Sequence, residues 1–323
     1  MPRLFAFLAA ILLSALAVTS ACTAAQGDAD NGAIRFTVEP ARKDSSRVHA
    51  EFRRDERGDR NIWSSDFAPA ELAGLDVTRL RSSGPVRFAL VREAGRMDCA
   101  GNGANGEARG TCRFTPDSAF IDSLVRRGMK RPTESQALTL MAVNVRRDIV
   151  DALTAARYPM PSIDNLVALT AVGVTGPYIS GLSQAGYRPD DLDTLLQFKA
   201  LGISPAWIRG FVQMGYDKLP ADQLVQLKAL GIDAPFIAGF EQAGYGRLPA
   251  DDLVQFKALG ITPGFVEGFR KVGYARLGTD ELVQLKALGI TPEFAARMRR
   301  DGKLPSASRL VELRVGADIL DRN

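Results

Sequence analysis

Side chains that commonly carry chemistry are scarce here: 323 residues hold one histidine, three cysteines and two tryptophans. The histidine, His49, sits in Val48-His49-Ala50-Glu51-Phe52, whose apolar–polar alternation predicts a half-buried strand and places it on a surface or rim. No cysteine or histidine grouping has zinc-ligand spacing. A GxSxG nucleophile elbow and a phosphate loop ending Gly-Lys-Ser/Thr are both missing. Carboxylate pairs such as Asp190-Asp191 and Asp251-Asp252 stand at helix starts, where they favour the positive end of the helix dipole. Charge of one sign is lacking too. Lys plus Arg number 41 against 37 Asp plus Glu, a net +4. From Pro116 onward the count is 25 against 23, so no basic face exists to displace the counterions of a nucleic acid. These absences predict no enzyme, no metal, no cofactor and no nucleic-acid partner.

What the chain does have is a period. Leu195-Leu196-Gln197-Phe198-Lys199-Ala200-Leu201-Gly202-Ile203 recurs from Leu224, Leu253 and Leu282, each 29 residues after the last. The phrase Gly-Tyr keeps the same step at Gly186, Gly215, Gly244 and Gly273. Such a period predicts a stacked architecture in which each unit buries its apolar face against its neighbours. Within one unit, Leu253, Phe256 and Leu259 mark a first helix and Gly260 ends it. Thr262 then caps a second helix, with Pro263 at its first position. The cap position holds Thr175, Ser204, Asp233, Thr262 and Thr291, and Gly273 closes the second helix. Each unit therefore reads as two short helices and two tight turns.

The period runs back through Asn144, a residue that tolerates a left-handed turn, and through Arg157-Tyr158 and Gly128-Met129. Forward, Leu310-Val311-Glu312-Leu313-Arg314 is a worn copy shortened by one residue. Two polar ladders follow the period: Gln197, Gln226, Gln255 and Gln284, and two residues later Lys199, Lys228, Lys257 and Lys286. They are the candidate binding face. The competing reading is that both are good helix formers left unchanged by duplication of one unit.

Upstream, Arg3, the 15 apolar residues Leu4 to Val18 and Thr19-Ser20-Ala21 precede Cys22. This order resembles a bacterial lipoprotein signal, with Thr19 in place of the usual Leu, and implies lipidation at Cys22. Ordinary cleavage near Ala21 or Ala24 is the alternative; the apolar run is short of the ~20 residues a span needs. Thr23 after the cysteine is not the Asp of inner-membrane retention, so an outer-membrane anchor on the periplasmic side is expected. Cys99 and Cys112 flank the turn formers Gly101 to Gly106, between the strand-like Val86–Val91 and Cys112-Arg113-Phe114. A hairpin stapled by a Cys99–Cys112 disulfide fits an oxidising compartment, with a two-cysteine metal site as the competing reading. Such a closure contributes on the order of 3 kcal/mol. Ile34–Val38 and Val48–Phe52 add alternating strands, Arg53 to Arg60 reads as a solvated turn, and Ser65 or Asp66 as the cap of a short helix through Glu71.

The expected fold class is α+β and multi-domain: an export signal over 1–22, a flexible linker over 23–31, a small disulfide-stapled β domain over 32–115, and an α-helical solenoid of 29-residue two-helix repeats over 116–323. The Leu-Gly-Ile-Thr-Pro turns resemble helix-hairpin-helix DNA elements in outline, but Thr262 and Ser204 stand where those elements carry a second glycine. Leu-Gly-Ile-Thr-Pro-(Glu/Gly)-Phe followed by Ala-Gly-Tyr resembles a helical repeat of uncharacterised bacterial exported proteins. It is also similar to repeats in the non-catalytic tail of some β-lactam-sensor-type membrane metallopeptidases. The likeness covers residues 116–323 and the preceding Cys112–Asp117, and the His-Glu-x-x-His zinc motif of the peptidases is missing. The resemblance implies an envelope-side interaction or sensing module with a protein or envelope polymer as partner. A hydrolase in the β domain and a structural spacer are the alternatives.

Overall fold

The computed structural model describes residues 33–44, 46–56 and 59–320; the expected export signal, Cys22 and the linker 23–31 lie outside them. The chain is a mixed α+β protein. Seven strands, β1 (Ile34–Pro40), β2 (Val48–Glu56), β3 (Asp59–Phe67), β4 (Leu72–Ala73), β5 (Gly84–Arg92), β6 (Gly95–Ala104) and β7 (Glu107–Pro116), form one curled antiparallel sheet in the order β3-β2-β1-β7-β6-β5-β4. Two meanders thus meet where β7 pairs with β1. Alternation decides the faces: Ile34, Phe36 and Val38 point inward with Ala50, Phe52, Phe88, Leu90 and Met97, while charged residues take the other side.

The β6–β7 hairpin turns on Asn105-Gly106, with φ of 55° and 92°, the paired left-handed geometry of a tight two-residue loop. Cys99 and Cys112 stand directly opposite each other at a Cα–Cα distance of 4.0 Å and form the disulfide, which overturns the competing metal reading. The turn is shorter than the glycine-rich stretch suggested, because β6 continues through Gly101, Asn102 and Gly103. Gly101 is needed for close strand approach: a Cβ there would lie 2.0 Å from the Arg109 carbonyl oxygen. Gly101, Gly103 and Gly106 do have the spacing of a dinucleotide fingerprint. They lie in an antiparallel hairpin instead of opening a helix, which removes the phosphate site.

Two expectations in this region are corrected. Most of Arg53 to Arg60 belongs to the paired strands β2 and β3, with the hairpin turn only at 57–58. Asp66 lies in β3, and the helical stretch is a single 3₁₀ turn at Pro69–Glu71, whose Glu71 carboxylate accepts from the Ala68 N–H at 2.8 Å. Cross-strand pairing with Val48 to Glu56 outweighed the local capping preference of Ser65 and Asp66.

Helices follow in two interleaved series. The odd ones are α1 (Ser118–Arg126), α3 (Arg147–Ala155), α5 (Gly176–Gln184), α7 (Pro205–Gln213), α9 (Ala234–Gln242), α11 (Pro263–Val272) and α13 (Pro292–Arg297). The even ones are α2 (Glu134–Ala142), α4 (Ile163–Ala171), α6 (Leu192–Ala200), α8 (Ala221–Ala229), α10 (Ala250–Leu259), α12 (Thr279–Ala287) and α14 (Ala307–Leu320). Successive odd helices start 29 residues apart (147 − 118, 176 − 147 and onward), as do the even ones until α14, which comes one residue early (307 − 279 = 28). Helices of one series pack on the next member of that series.

Local chemistry accounts for the ends. Thr175, Ser204, Asp233, Thr262 and Thr291 each accept the backbone N–H three residues on, as capping types should. Asn144 occupies the left-handed turn at φ 62°, and Gly231, in the equivalent turn, has φ 66°. Among the described residues no single helix is long and apolar enough to cross a membrane.

The sheet and the helices share one hydrophobic cluster that runs from Ile34 to Leu224; a second runs from Phe211 to Leu310. Two adjacent residues of the β5–β6 turn fix the junction. The Arg92 guanidinium donates to the Met141 and Ala142 carbonyls at the C-terminal end of α2, at 2.8 and 2.6 Å. The Glu93 carboxylate accepts the Arg147 N–H at the start of α3, at 2.9 Å. Each charge meets the helix end of opposite sign.

Candidate functional site

The lysine ladder faces its own protein. Lys199 lies over Tyr178, Lys228 over Trp207, Lys257 over Phe236 and Lys286 over Phe265, at 4.7, 5.5, 4.6 and 4.8 Å from the ring centroids. Each pair joins an even helix to the odd helix of the preceding unit, 21 residues back (199 − 178, 257 − 236). Lys257 also donates to the Gly231 carbonyl at 3.2 Å, 26 residues back (257 − 231). Arg314 does the same to Leu288 at 3.3 Å, again 26 residues back (314 − 288), so it takes the ladder's next place despite the missing residue. Ammonium-on-ring contacts of this kind contribute ~0.5–1 kcal/mol each. They supply a structural reason for the lysines to be alike.

The glutamines have no such role. Gln197, Gln226, Gln255 and Gln284 are all exposed, and none makes a side-chain hydrogen bond among the described residues. One turn earlier on the same helix face stand the exposed Asp193, Asp222, Asp251 and Asp280. Neighbouring positions have drifted. Thr194, Gln223, Asp252 and Glu281 occupy one equivalent set, and Arg209, Ala238, Glu267 and Ala296 another on the odd helices. Gln223 bridges to Asp251 of the next unit at 3.2 Å. Burial, with the like charges of Asp280 and Asp251, raises the Asp252 carboxyl above its ordinary value.

The Gly-Tyr phrase is also an internal fastening. Tyr216 donates its hydroxyl to the Leu248 carbonyl, Tyr245 to Leu277 and Tyr274 to Pro305, at 2.5, 2.6 and 2.7 Å. Arg247 and Arg276 lie over the rings of Tyr216 and Tyr245, and Arg188 over Tyr158. These arginines were not singled out by the sequence, although their spacing of 31 residues from a tyrosine (247 − 216, 276 − 245) was a readable signal.

On the sheet's outer face, β2 and β3 bring His49 opposite Asp66, and the His49 Nδ1 lies 2.7 Å from Asp66 Oδ1. The pair lines an open cleft of about 630 Å³ with Thr37, Glu51, Glu107 and Arg109. Its other charges are largely paired: Arg109 to Glu107 at 2.7 Å and Arg53 to Glu51 at 3.2 Å. A histidine oriented by a carboxylate is the arrangement of a general base. Here the imidazole and carboxylate are 37 and 45% exposed, and no serine or cysteine lines the cleft. No three His, Cys, Asp or Glu side chains among the described residues are grouped to hold a metal ion. Cys99 and Cys112 are committed to the disulfide, and Cys22 lies outside the described residues. No protein-family model matches this sequence, and no curated protein is similar to it.

Proposed function

We propose that the chain is an exported, lipid-anchored, non-enzymatic interaction or sensing module that presents a helical solenoid to a cell-envelope partner. The observation that carries this reading is the difference between the two ladders. The lysines are alike and are used internally, whereas the glutamines are alike, exposed and without an internal bond, beside exposed positions that have drifted. A surface kept the same where the fold does not require it is one that a partner touches. The disulfide is compatible with an oxidising compartment and supports export.

A photo-crosslinking residue tests the surface directly. Placed at Gln226 or Gln255, it should trap one envelope component; placed at Ala206 or Arg209 on the odd helices, it should not. Equal labelling from both series, or none from the glutamines, counts against the proposal.

The His49–Asp66 pair favours a second reading, a hydrolase housed in the β domain that uses His49 to activate water. Under that reading His49→Ala abolishes turnover in a substrate screen and leaves glutamine crosslinking intact.

A further inference from the structure

Packing along the even helices is uneven. α2 packs on α4, α4 on α6, α8 on α10, α10 on α12 and α12 on α14, but α6 and α8 approach each other less closely than any of these pairs. The hydrophobic core divides at the same place. Ile208 of α7 and Leu224 of α8 belong to the cluster that includes the sheet, while Phe211 and Leu227, on those same two helices, belong to the C-terminal cluster.

The tyrosine fastening fails there as well. Where Tyr216 and Tyr245 each bond a carbonyl 32 residues on (248 − 216, 277 − 245) and carry an arginine 31 residues on, the equivalent set is Tyr187, Leu219 and Lys218. Among the described residues neither the hydroxyl bond nor the cation-on-ring contact forms at Tyr187, which stacks instead on Phe198 at 5.5 Å. The substitution accounts for the loss. The guanidinium of Arg247 lies over the Tyr216 ring and also donates to the Gly215 carbonyl. A lysine ammonium has no plane to stack and is more strongly hydrated, and Lys218 is exposed. Tyr187 and Lys218 lie in the turns that precede α6 and α8, so the missing fastening and the loose pair are one junction.

We infer that the chain flexes between α6 and α8. The sheet with α1–α6 is one stiff segment, α8–α14 is another, and α7 bridges them. In a chain whose units hold only their neighbours, the weakest interface opens first. Closing or opening there re-aims Gln226, Gln255 and Gln284 relative to Gln197 without disturbing either core.

Paired spin labels read this directly, because the glutamine ladder offers equivalent exposed sites. In the full chain with Cys22→Ser and the disulfide intact, the pairs Gln197→Cys with Gln226→Cys and Gln226→Cys with Gln255→Cys are compared by pulsed dipolar spectroscopy. The first distance distribution should be about twofold broader than the second, as hinge motion requires. Lys218→Arg, which restores the fastening on Tyr187, should narrow the first and leave the second unchanged. Equal widths in the parent chain, or a first distribution that stays broad in Lys218→Arg, would overturn the inference.

Discussion

Gly239 is a residue whose role only its neighbour explains. A helix-interior glycine ordinarily costs ~1 kcal/mol relative to alanine. At Gly239 an added Cβ would lie 2.5 Å from the Pro263 ring of the next odd helix, and Gly181 and Gly268 meet Pro205 and Pro292 in the same way, 24 residues on (263 − 239, 205 − 181). The steric term wins. Gly239→Ala should destabilise by ~1–3 kcal/mol despite its better helix propensity, whereas Gly264→Ala, exposed and with nothing nearer than 3.7 Å, should be neutral or slightly stabilising. Urea denaturation of the two variants checks this; equal effects would mean that the proline contact yields freely. The left-handed turns at Gly231 and Asn144 were legible in the sequence, since a helix stop is a local event. The Gly239–Pro263 contact was not, because nothing in either residue names its partner.

At the scale of the helix, ends were readable and faces were not. The five capping residues on odd helices act where their residue types imply, within three residues of themselves. The lysine and tyrosine fastenings join residues 21 to 32 positions apart, and their partners emerge only once helices of one series lie side by side. The tyrosines also set a pH limit. Burial pushes the hydroxyls of Tyr158 and Tyr216 up to about 12, against about 10 for an unfolded phenol. A folded value raised above the unfolded one leaves the contribution to stability fully present below about pH 10, and lost as pH rises through about 12. The urea midpoint should therefore be insensitive to these groups below pH 10 and fall above it. Tyr216→Phe should lose ~1 kcal/mol at neutral pH with the Leu248 bond, yet fall less steeply in alkali. An unchanged alkaline slope in Tyr216→Phe would remove Tyr216 from the account.

For the whole molecule, the junction of sheet and helices decides how it unfolds. Arg92 and Glu93 hold facing ends of α2 and α3, and Arg92 also lies 5.6 Å from the Phe67 ring centroid, so the β5–β6 turn is built into the helical part. Reducing Cys99–Cys112, which closes a separation of 13 residues, should cost ~3 kcal/mol. Because one cluster spans the sheet and α1–α6, the sheet signal and part of the helical signal should then melt together at a lower temperature. A sheet that melts while every helix persists would refute the shared core. The amino-acid sequence by itself determined the 29-residue period, the alternation of two helices and two turns, the capped and left-handed ends, and the cysteine pair, because each depends on neighbours in the chain or on a repeated pattern. Tertiary structure alone decided that β3 is a strand, that His49 meets Asp66, that the lysines turn inward while the glutamines stay exposed, and that α6 and α8 are loosely joined. Those outcomes depend on which surfaces stack and how closely. That balance of burial and register is struck between segments far apart in the chain, where no single residue type carries the information.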